Sequence, residues 1–329
     1  MDLDFGQPIK RDDIEVLKLF EAEFLKLKLI SGEKGLNNKI ITIELNRPGL
    51  ALTGFFDYFS DFKIQIFGKT ELSYLLQLSE KMMKKRLRDI FTYNLPCVIV
   101  TTDLEIPSYL RFLSNKRNIP LLSTPLPTTY FSSQLSSFLE KLLAPQLNVH
   151  GVLMDVFGVG VLIVGKSGVG KSECALELVE RGHRLVADDV VNIIALSNNV
   201  LIGQGSDVLK HHMEIRGIGI VNVEALFGAG SVRPNKRISL LVNLEKWVEE
   251  KQYERLGFES TPHKIFDIDV PLVTIPVAPG RNISILIEVA ALTERLRESG
   301  YNPALEFNRN LIERMLKKKN KSLDNNEKD

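Results

Sequence analysis

Val161-Leu162-Ile163-Val164-Gly165-Lys166-Ser167-Gly168-Val169-Gly170-Lys171-Ser172 is the stretch that decides the fold. Its apolar opening reads as a buried strand, and Gly165 to Ser172 satisfies the pattern G-x-x-x-x-G-K-[ST] in full. The glycines let the backbone fold so that successive N–H groups point inward at phosphate oxygens. Lys171 brings a mobile positive charge to the terminal phosphates, and the Ser172 hydroxyl is a ligand for Mg²⁺. The helix that begins here adds the positive end of its dipole to the same anion site. Cys174, Ala175, Leu178 and Val179 form that helix's buried stripe, and Gly182 closes it. A strand before the loop and a helix after it weigh against a ligand-free glycine turn. A nucleoside triphosphate is the expected ligand.

Just downstream, Leu185-Val186-Ala187 reads as a strand ending in Asp188-Asp189. Paired carboxylates at the carboxyl end of a strand lie where α/β sheets bind ligands. One can order a metal through water and the other can act as a general base; a helix cap or surface turn is the bland alternative. No N-K-x-D stretch is present, so no base-reading device is visible.

Working outward, Val152 to Phe157 is a further apolar strand, set off from the loop strand by Gly158-Val159-Gly160. Leu185 to Ala187, Ile238 to Val242, Leu272 to Val277 and Ile283 to Val289 are also predicted strands, and Leu305 to Leu316 a helix. A break falls at Ala144-Pro145-Gln146, where proline ends the preceding helix. Before it, apolar Leu17, Phe20, Phe24 and Leu27 predict an amphipathic helix over Ile14 to Leu29. Ile40 to Leu45, Phe62 to Phe67, Pro96 to Val100 and Ile119 to Leu122 read as strands, with helices around Glu71 to Leu87 and Ser133 to Leu143. Strands alternating with helices imply a small, largely parallel sheet. The fold class is therefore α/β, with a small N-terminal domain over 1–144, a phosphate-loop catalytic domain over 145–316 and a disordered tail over 317–329. No internal repeat is found.

Length and composition agree with this plan. A chain of 329 residues, 44% hydrophobic and 25% charged, suits about two globular domains. Basic residues number 42 and acidic residues 41, leaving a net charge of +1, so nothing demands a nucleic-acid or membrane partner. Lys317-Lys318-Lys319 and the acidic end that follows read as a solvated tail. Cys97 and Cys174, the only cysteines, are expected as reduced thiols in a cytoplasmic protein. The acidic opening MDLDFGQPIKRDD is not a secretory signal, and no apolar run reaches the roughly 20 residues that span a bilayer.

Further motifs carry a family resemblance over nearly the whole chain. Val149-His150-Gly151-Val152-Leu153, Gly182-His183-Arg184-Leu185-Val186-Ala187-Asp188-Asp189 and Met213-Glu214-Ile215-Arg216-Gly217-Ile218-Gly219-Ile220-Val221-Asn222 resemble signatures of the bifunctional HPr kinase/phosphorylase family. Leu226-Phe227-Gly228-Ala229-Gly230 and Pro276-Val277-Ala278-Pro279-Gly280-Arg281-Asn282 follow in the expected places, with weaker matches at Arg47 to Leu50 and Gln65 to Gly68. The resemblance implies phosphorylation of a serine in HPr, the phosphocarrier of the sugar phosphotransferase system, with ATP or pyrophosphate as donor. It also implies phosphorolysis, in which inorganic phosphate attacks phosphoserine and pyrophosphate leaves. It further implies a catalytic fold related to phosphoenolpyruvate carboxykinase and a homohexamer.

The same resemblance implies roles for individual residues. Asp189 is the base that takes the serine proton and returns it in reverse, since a hydroxyl is a poor nucleophile until its proton has somewhere to go. His150 orients Asp189, and Lys171 and Arg255 neutralise the phosphoryl group in flight. Ser172 and Glu214 are the Mg²⁺ ligands, a donor pair suited to a hard cation. Arg216 belongs to the signature without an assigned role. The loop 276–281 is linked to phosphorolysis, and here Ala278 stands where the family carries a basic residue, so weaker phosphate binding is expected. Two other functions stay open on the residues alone: a phosphotransferase acting on a small molecule, and a non-catalytic nucleotide sensor.

Overall fold

The computed structural model describes residue 3, residues 5–206, 210–249 and 262–301, and residues 306, 309 and 313. Two compact units result. One is Lys10–Pro145; the other combines the leading segment through Ile9 with the described residues from Gln146 onward. The leading segment is thus grouped with the second unit rather than with 10–144. It is held there by an antiparallel bridge, Ile9 N–H donating to Gln146 O at 2.7 Å and Gln146 N–H returning to Ile9 O at 2.9 Å.

The Lys10–Pro145 unit is built on a sheet in the order Lys28–Ser31, Leu121–Thr124, Val98–Thr101, Ile64–Phe67 and Leu45–Asn46. All neighbours run parallel except the first pair. Three of these strands are buried at every position, the signature of a sheet covered on both faces. Gln65, in their midst, is tolerated because its amide donates to Ser60 O and Lys63 O and accepts from Asn46. Helices Gly49–Thr53, Lys69–Gln77, Glu80–Ile90, Ser108–Arg117 and Thr128–Leu143 belong to the same unit. The single helix expected around Glu71 to Leu87 is two, because Ser79 caps a new start by accepting from Met82 N–H.

The amphipathic helix expected over Ile14 to Leu29 does not form. A short strand, Ile14–Glu15, leads into 3₁₀ turns at Val16–Glu21 and Glu23–Leu25, and then into the edge strand Lys28–Ser31. The buried residues are Val16, Leu19, Ala22 and Leu25, each three apart, which is the repeat of a 3₁₀ turn. Leu17 and Phe24, expected on the buried face, are each 50% exposed.

Among the described residues, the second unit has two main sheets and two further two-stranded ones. The larger of the main sheets runs Arg184–Ala187, Val152–Val156, Val159–Gly165, Leu240–Lys246, Leu272–Val277. Only Val152–Val156 opposes the others, so four strands deliver their carboxyl ends to one edge. Arg184–Ala187 is separated from the phosphate-loop strand by Val152–Val156. The smaller sheet, Asn235–Arg237, Val200–Gln204, Val190–Leu196, Gln146–His150, is antiparallel throughout. The alternate residues of the loop strand serve opposite cores. Val161 and Ile163 pack with Ala175, Leu178 and Ile287 of the helices, while Leu162 and Val164 pack with Val191, Ile193 and Leu201 of the smaller sheet. Burial on both faces explains the unbroken apolar run.

Ile283 to Val289, expected as a strand, is the first half of the helix Ile283–Glu298. Asn282 caps it, its side chain accepting from Ile285 N–H at 2.9 Å. Its buried residues Ser284, Ile287, Glu288, Ala291 and Glu294 follow helical spacing, which overrides the strand preference of isoleucine and valine. The helix expected over Leu305 to Leu316 and the tail 317–329 lie outside the described residues, apart from Glu306, Arg309 and Glu313, which are helical.

Candidate active site

The phosphate loop leaves the strand Val159–Gly165 and enters the helix Lys171–Glu180. Gly165 has φ 146°, and a Cβ there would sit 2.4 Å from Leu244 O, so the neighbouring strand's backbone approaches too closely for any side chain. Gly168 has φ 74°, and a Cβ there would meet Arg216 Nη1 at 2.8 Å. The signature arginine therefore lies against the loop. Lys171 Nζ donates to Gly165 O at 3.0 Å and to Lys166 O at 3.4 Å, which holds the ammonium across the mouth of the cradle.

Two corners, where the chain passes from one sheet to the other, meet at the same edge. His150-Gly151 leads from the smaller sheet into Val152–Val156, and Asp188-Asp189 leads from Arg184–Ala187 back into Val190–Leu196. Gly151 N–H donates to Asp189 O at 3.0 Å and Val190 pairs with His150, so the corners are locked side by side. His150 Nδ1 lies 3.7 Å from Asp189 Oδ1, with the two side chains 84% and 65% exposed. Asp189 holds a left-handed backbone, φ 66°, a conformation that costs energy outside glycine.

Asp188 has the opposite setting. It is buried, its Oδ1 accepts from Ser172 Oγ at 3.0 Å, and its Oδ2 accepts from Glu214 N–H at 3.4 Å. Burial raises its pKa above the usual carboxylate value, against the pull of those hydrogen bonds. The doublet thus divides into one carboxylate braced inside and one presented to solvent.

The segment 213–222 is a hairpin, His212–Ile215 pairing with Gly219–Asn222. Met213 and Ile215 are buried in the same core as the phosphate-loop helix, while Glu214 and Arg216 are exposed. Strand alternation alone produces this split. The loop 276–281 follows Leu272–Val277 at the shared edge, where Arg281 donates to Pro276 O at 3.3 Å and lies 5.7 Å from the Trp247 ring. No hydrogen bond links this loop to Gly165–Ser172 among the described residues. Arg255 lies outside the described residues.

Ser172 Oγ, Asp188 and the adjacent Glu214 offer hard oxygen donors suited to Mg²⁺, and no three or more His, Cys, Asp or Glu are grouped so as to hold a metal ion by themselves among the described residues. That sparse set fits an ion that keeps waters and takes its remaining oxygens from phosphates. Beside the loop opens a cavity of about 740 Å³, walled by Phe5, Val149, Val164, Asn243 and Leu244 as well as Gly165. Asp188 was readable only as half of a pair, and the cavity not at all. A lone amide, Asn243, within the apolar run Leu240 to Leu244 was the one available signal for it.

Family models match both units: the HPr Serine kinase N terminus over residues 14–139 and the HPr Serine kinase C-terminal domain over residues 141–311. A protein of Bacillus subtilis (strain 168) named HPr kinase/phosphorylase is 50% identical over 291 residues, covering 88% of this chain and 94% of its own. Another of that name from Leptospira biflexa serovar Patoc (strain Patoc 1 / Ames) is 48% identical over 308 residues, covering 92% and 95%. A solved structure described as the Hpr(Ser) kinase/phosphatase from Coxiella burnetii is 35% identical, covering 49% of this chain and 97% of that one, with a TM-score of 0.44.

Proposed function

The chain belongs to the HPr serine kinase family, and from that premise we propose that it phosphorylates a serine of HPr and removes the same phosphate by phosphorolysis. The observation that carries this reading is the placement of the exposed His150–Asp189 pair at the same sheet edge as the phosphate loop.

Donor phosphates lie on the loop 165–172, with Lys171 turning from its carbonyl partners to the terminal group. Mg²⁺, held by Ser172 and Asp188 with Glu214 alongside, supplies charge neutralisation for the phosphate chain when bound. The acceptor serine hydroxyl approaches Asp189, which takes its proton as the oxygen–phosphorus bond forms and the donor's leaving phosphate departs. In reverse, an oxygen of inorganic phosphate attacks phosphoserine, the serine oxygen leaves with the proton returned by Asp189, and pyrophosphate is the product. His150 lies 3.7 Å from Asp189, beyond direct hydrogen-bond range, and acts by steering the carboxylate and the incoming phosphate. Arg216, against Gly168, supports the loop from outside, and Arg255 brings further positive charge to the transferring group.

Either ATP or pyrophosphate serves as donor, and the catalytic unit follows the phosphoenolpyruvate carboxykinase plan. The working form is a cytoplasmic homohexamer. The test is label transfer to HPr from each donor in turn, with small-molecule acceptors as controls. Label on protein serine, and release of pyrophosphate when phosphoserine-HPr meets phosphate, is the expected result. Label appearing only on a small acceptor would overturn the proposal. Ala278→Arg should raise phosphorolysis a few-fold by adding a cation near incoming phosphate; an unchanged rate of pyrophosphate release would refute that role.

A further inference from the structure

We infer that Asn282 is a positioning residue for phosphorolysis: its side-chain amide tethers the loop 276–281 to the phosphate-loop helix, with Glu177 as the anchor. This rests on the loop meeting incoming phosphate, as proposed above. Among residues 276–281 the only cation is Arg281, since Ala278 carries no charge. The charge this loop offers to phosphate therefore depends on where Arg281 is held.

The loop is braced at its corner, its entry and its exit. At the corner, Arg281 N–H donates to Ala278 O at 3.2 Å across Pro279 and Gly280, and Gly280 has the φ of 82° that a type II turn asks of its third residue. At the entry, Trp247 N–H donates to Val277 O at 3.0 Å, tying the loop to the end of the neighbouring strand Leu240–Lys246. At the exit, Asn282 Nδ2 donates to Glu177 Oε1 at 2.9 Å, on the helix Lys171–Glu180 whose first turn holds Lys171 and Ser172. Ser284 Oγ donates to Cys174 O at 3.3 Å, which seats the helix Ile283–Glu298 on the same phosphate-loop helix. Ser284 thus fixes where the helix lies, and Asn282 fixes where the loop ends.

Asn282 has two tasks at this exit. Its Oδ1 accepts from Ile285 N–H at 2.9 Å and caps the helix, while its Nδ2 makes the bond to Glu177. Aspartate caps a helix as well as asparagine does, but has no proton to give a carboxylate. Capping alone therefore leaves the choice of an amide unexplained, and the tether explains it. A hydrogen bond to an ionised acceptor is of the stronger kind, which suits a contact reached by solvent. The consequence is a link from Arg281 to the phosphate-loop helix through a residue that touches no phosphate.

The experiment uses the full-length chain and reads KM for inorganic phosphate in phosphorolysis beside KM for ATP in HPr phosphorylation. Glu177→Ala cuts the tether and leaves the cap. It should raise KM for phosphate about fivefold while KM for ATP stays within about twofold. Electrostatics alone gives the opposite sign, because removing a carboxylate favours a nearby anion. Glu177→Gln keeps an acceptor for Asn282 and should stay near the parent. Asn282→Asp keeps the cap but sets two carboxylates face to face, and should raise KM for phosphate at least as far as Glu177→Ala. Adding Glu177→Gln to Asn282→Asp restores a donor across the same gap, and should bring KM back to the parent value. A constant KM for phosphate in Glu177→Ala, an equal rise in both constants, or a double variant that does not recover overturns the proposal. If the parent chain shows no phosphorolysis, the functional reading fails, and calorimetry with inorganic phosphate decides the tether. Weaker binding in Asn282→Asp that the double variant recovers supports it; unchanged, unrecovered or absent binding refutes it.

Discussion

Two of the histidine–carboxylate pairs in the second unit serve opposite ends. His183 and Glu288 are 5% and 12% exposed at the side chain, 2.9 Å apart, and Glu288 also takes two hydrogen bonds from Arg181 at 2.8 and 2.5 Å. The Phe157 ring closes over His183 at 4.6 Å. This cluster ties the end of the phosphate-loop helix to the helix Ile283–Glu298. The pair His150 and Asp189 is open, 3.7 Å apart, and satisfied by little but solvent. Burial and close partnering consume a side chain's hydrogen-bonding capacity; exposure at a sheet edge leaves it for a substrate. The difference teaches which pair is framework and which is chemistry, and substitutions should separate the two cleanly.

The largest expected effect is in the open pair. Asp189→Asn should lower the rate of phosphoryl transfer roughly 10³-fold by removing the base, with thermal stability nearly unchanged. Activity above a tenth of the parent would sink the assignment. Next comes the buried pair. Glu288→Gln should cost about 2–3 kcal/mol of stability while leaving the catalytic rate within about twofold, as measured by denaturation and by turnover. Arg181 and His183 hold the Glu288 carboxyl below its usual pKa, so its contribution is fully present above the ordinary value near 4.3. It fades as pH falls through the lowered value, and the parent and variant stabilities should converge in acid. Equal stability at pH 7 would erase the contrast between the pairs.

His150→Gln should lower turnover about tenfold, because a steering residue contributes less than the base it steers. A loss as large as that of Asp189→Asn would make the histidine a direct proton carrier. The smallest effect on stability concerns Asp188, the buried member of the doublet. Its raised pKa means that ionisation costs stability, a cost absent below the ordinary value near 3.9 and growing as pH rises through the raised one. Asp188→Asn should therefore gain roughly 1 kcal/mol at pH 7 in denaturant titrations, while losing Mg²⁺-dependent activity. A loss of stability instead would show that the bond with Ser172 outweighs desolvation.

Legibility varied with how locally each feature is determined. The strand, loop and helix around Gly165 to Ser172 were readable because every residue type there has a fixed task, and the stripe Cys174, Ala175, Leu178, Val179 is buried as expected. Val16 to Leu25 was misread because apolar residues dense enough for a 3.6-residue repeat also satisfy a 3.0-residue one. Ile283 to Val289 was misread because β-branched residues advertise strands even where a capped helix buries them. The site was partly legible: the carboxylate doublet could be found, but not which member turns inward. That choice follows from the sheet-to-sheet corner, a tertiary feature with no local signature. His183 looked no different from His150 in the sequence, since nothing nearby announces Glu288 arriving from a distant helix.

The bond from Gly151 N–H to Asp189 O has a further consequence for anyone rebuilding this protein. The separation of His150 from Asp189 is set by main chain, so repacking the interior around them will not tune it. Their two corners behave as one part, although 39 positions apart in the chain. A chimera whose crossover falls between those corners must inherit compatible backbones from both parents, whereas one that moves the corners together carries the site intact.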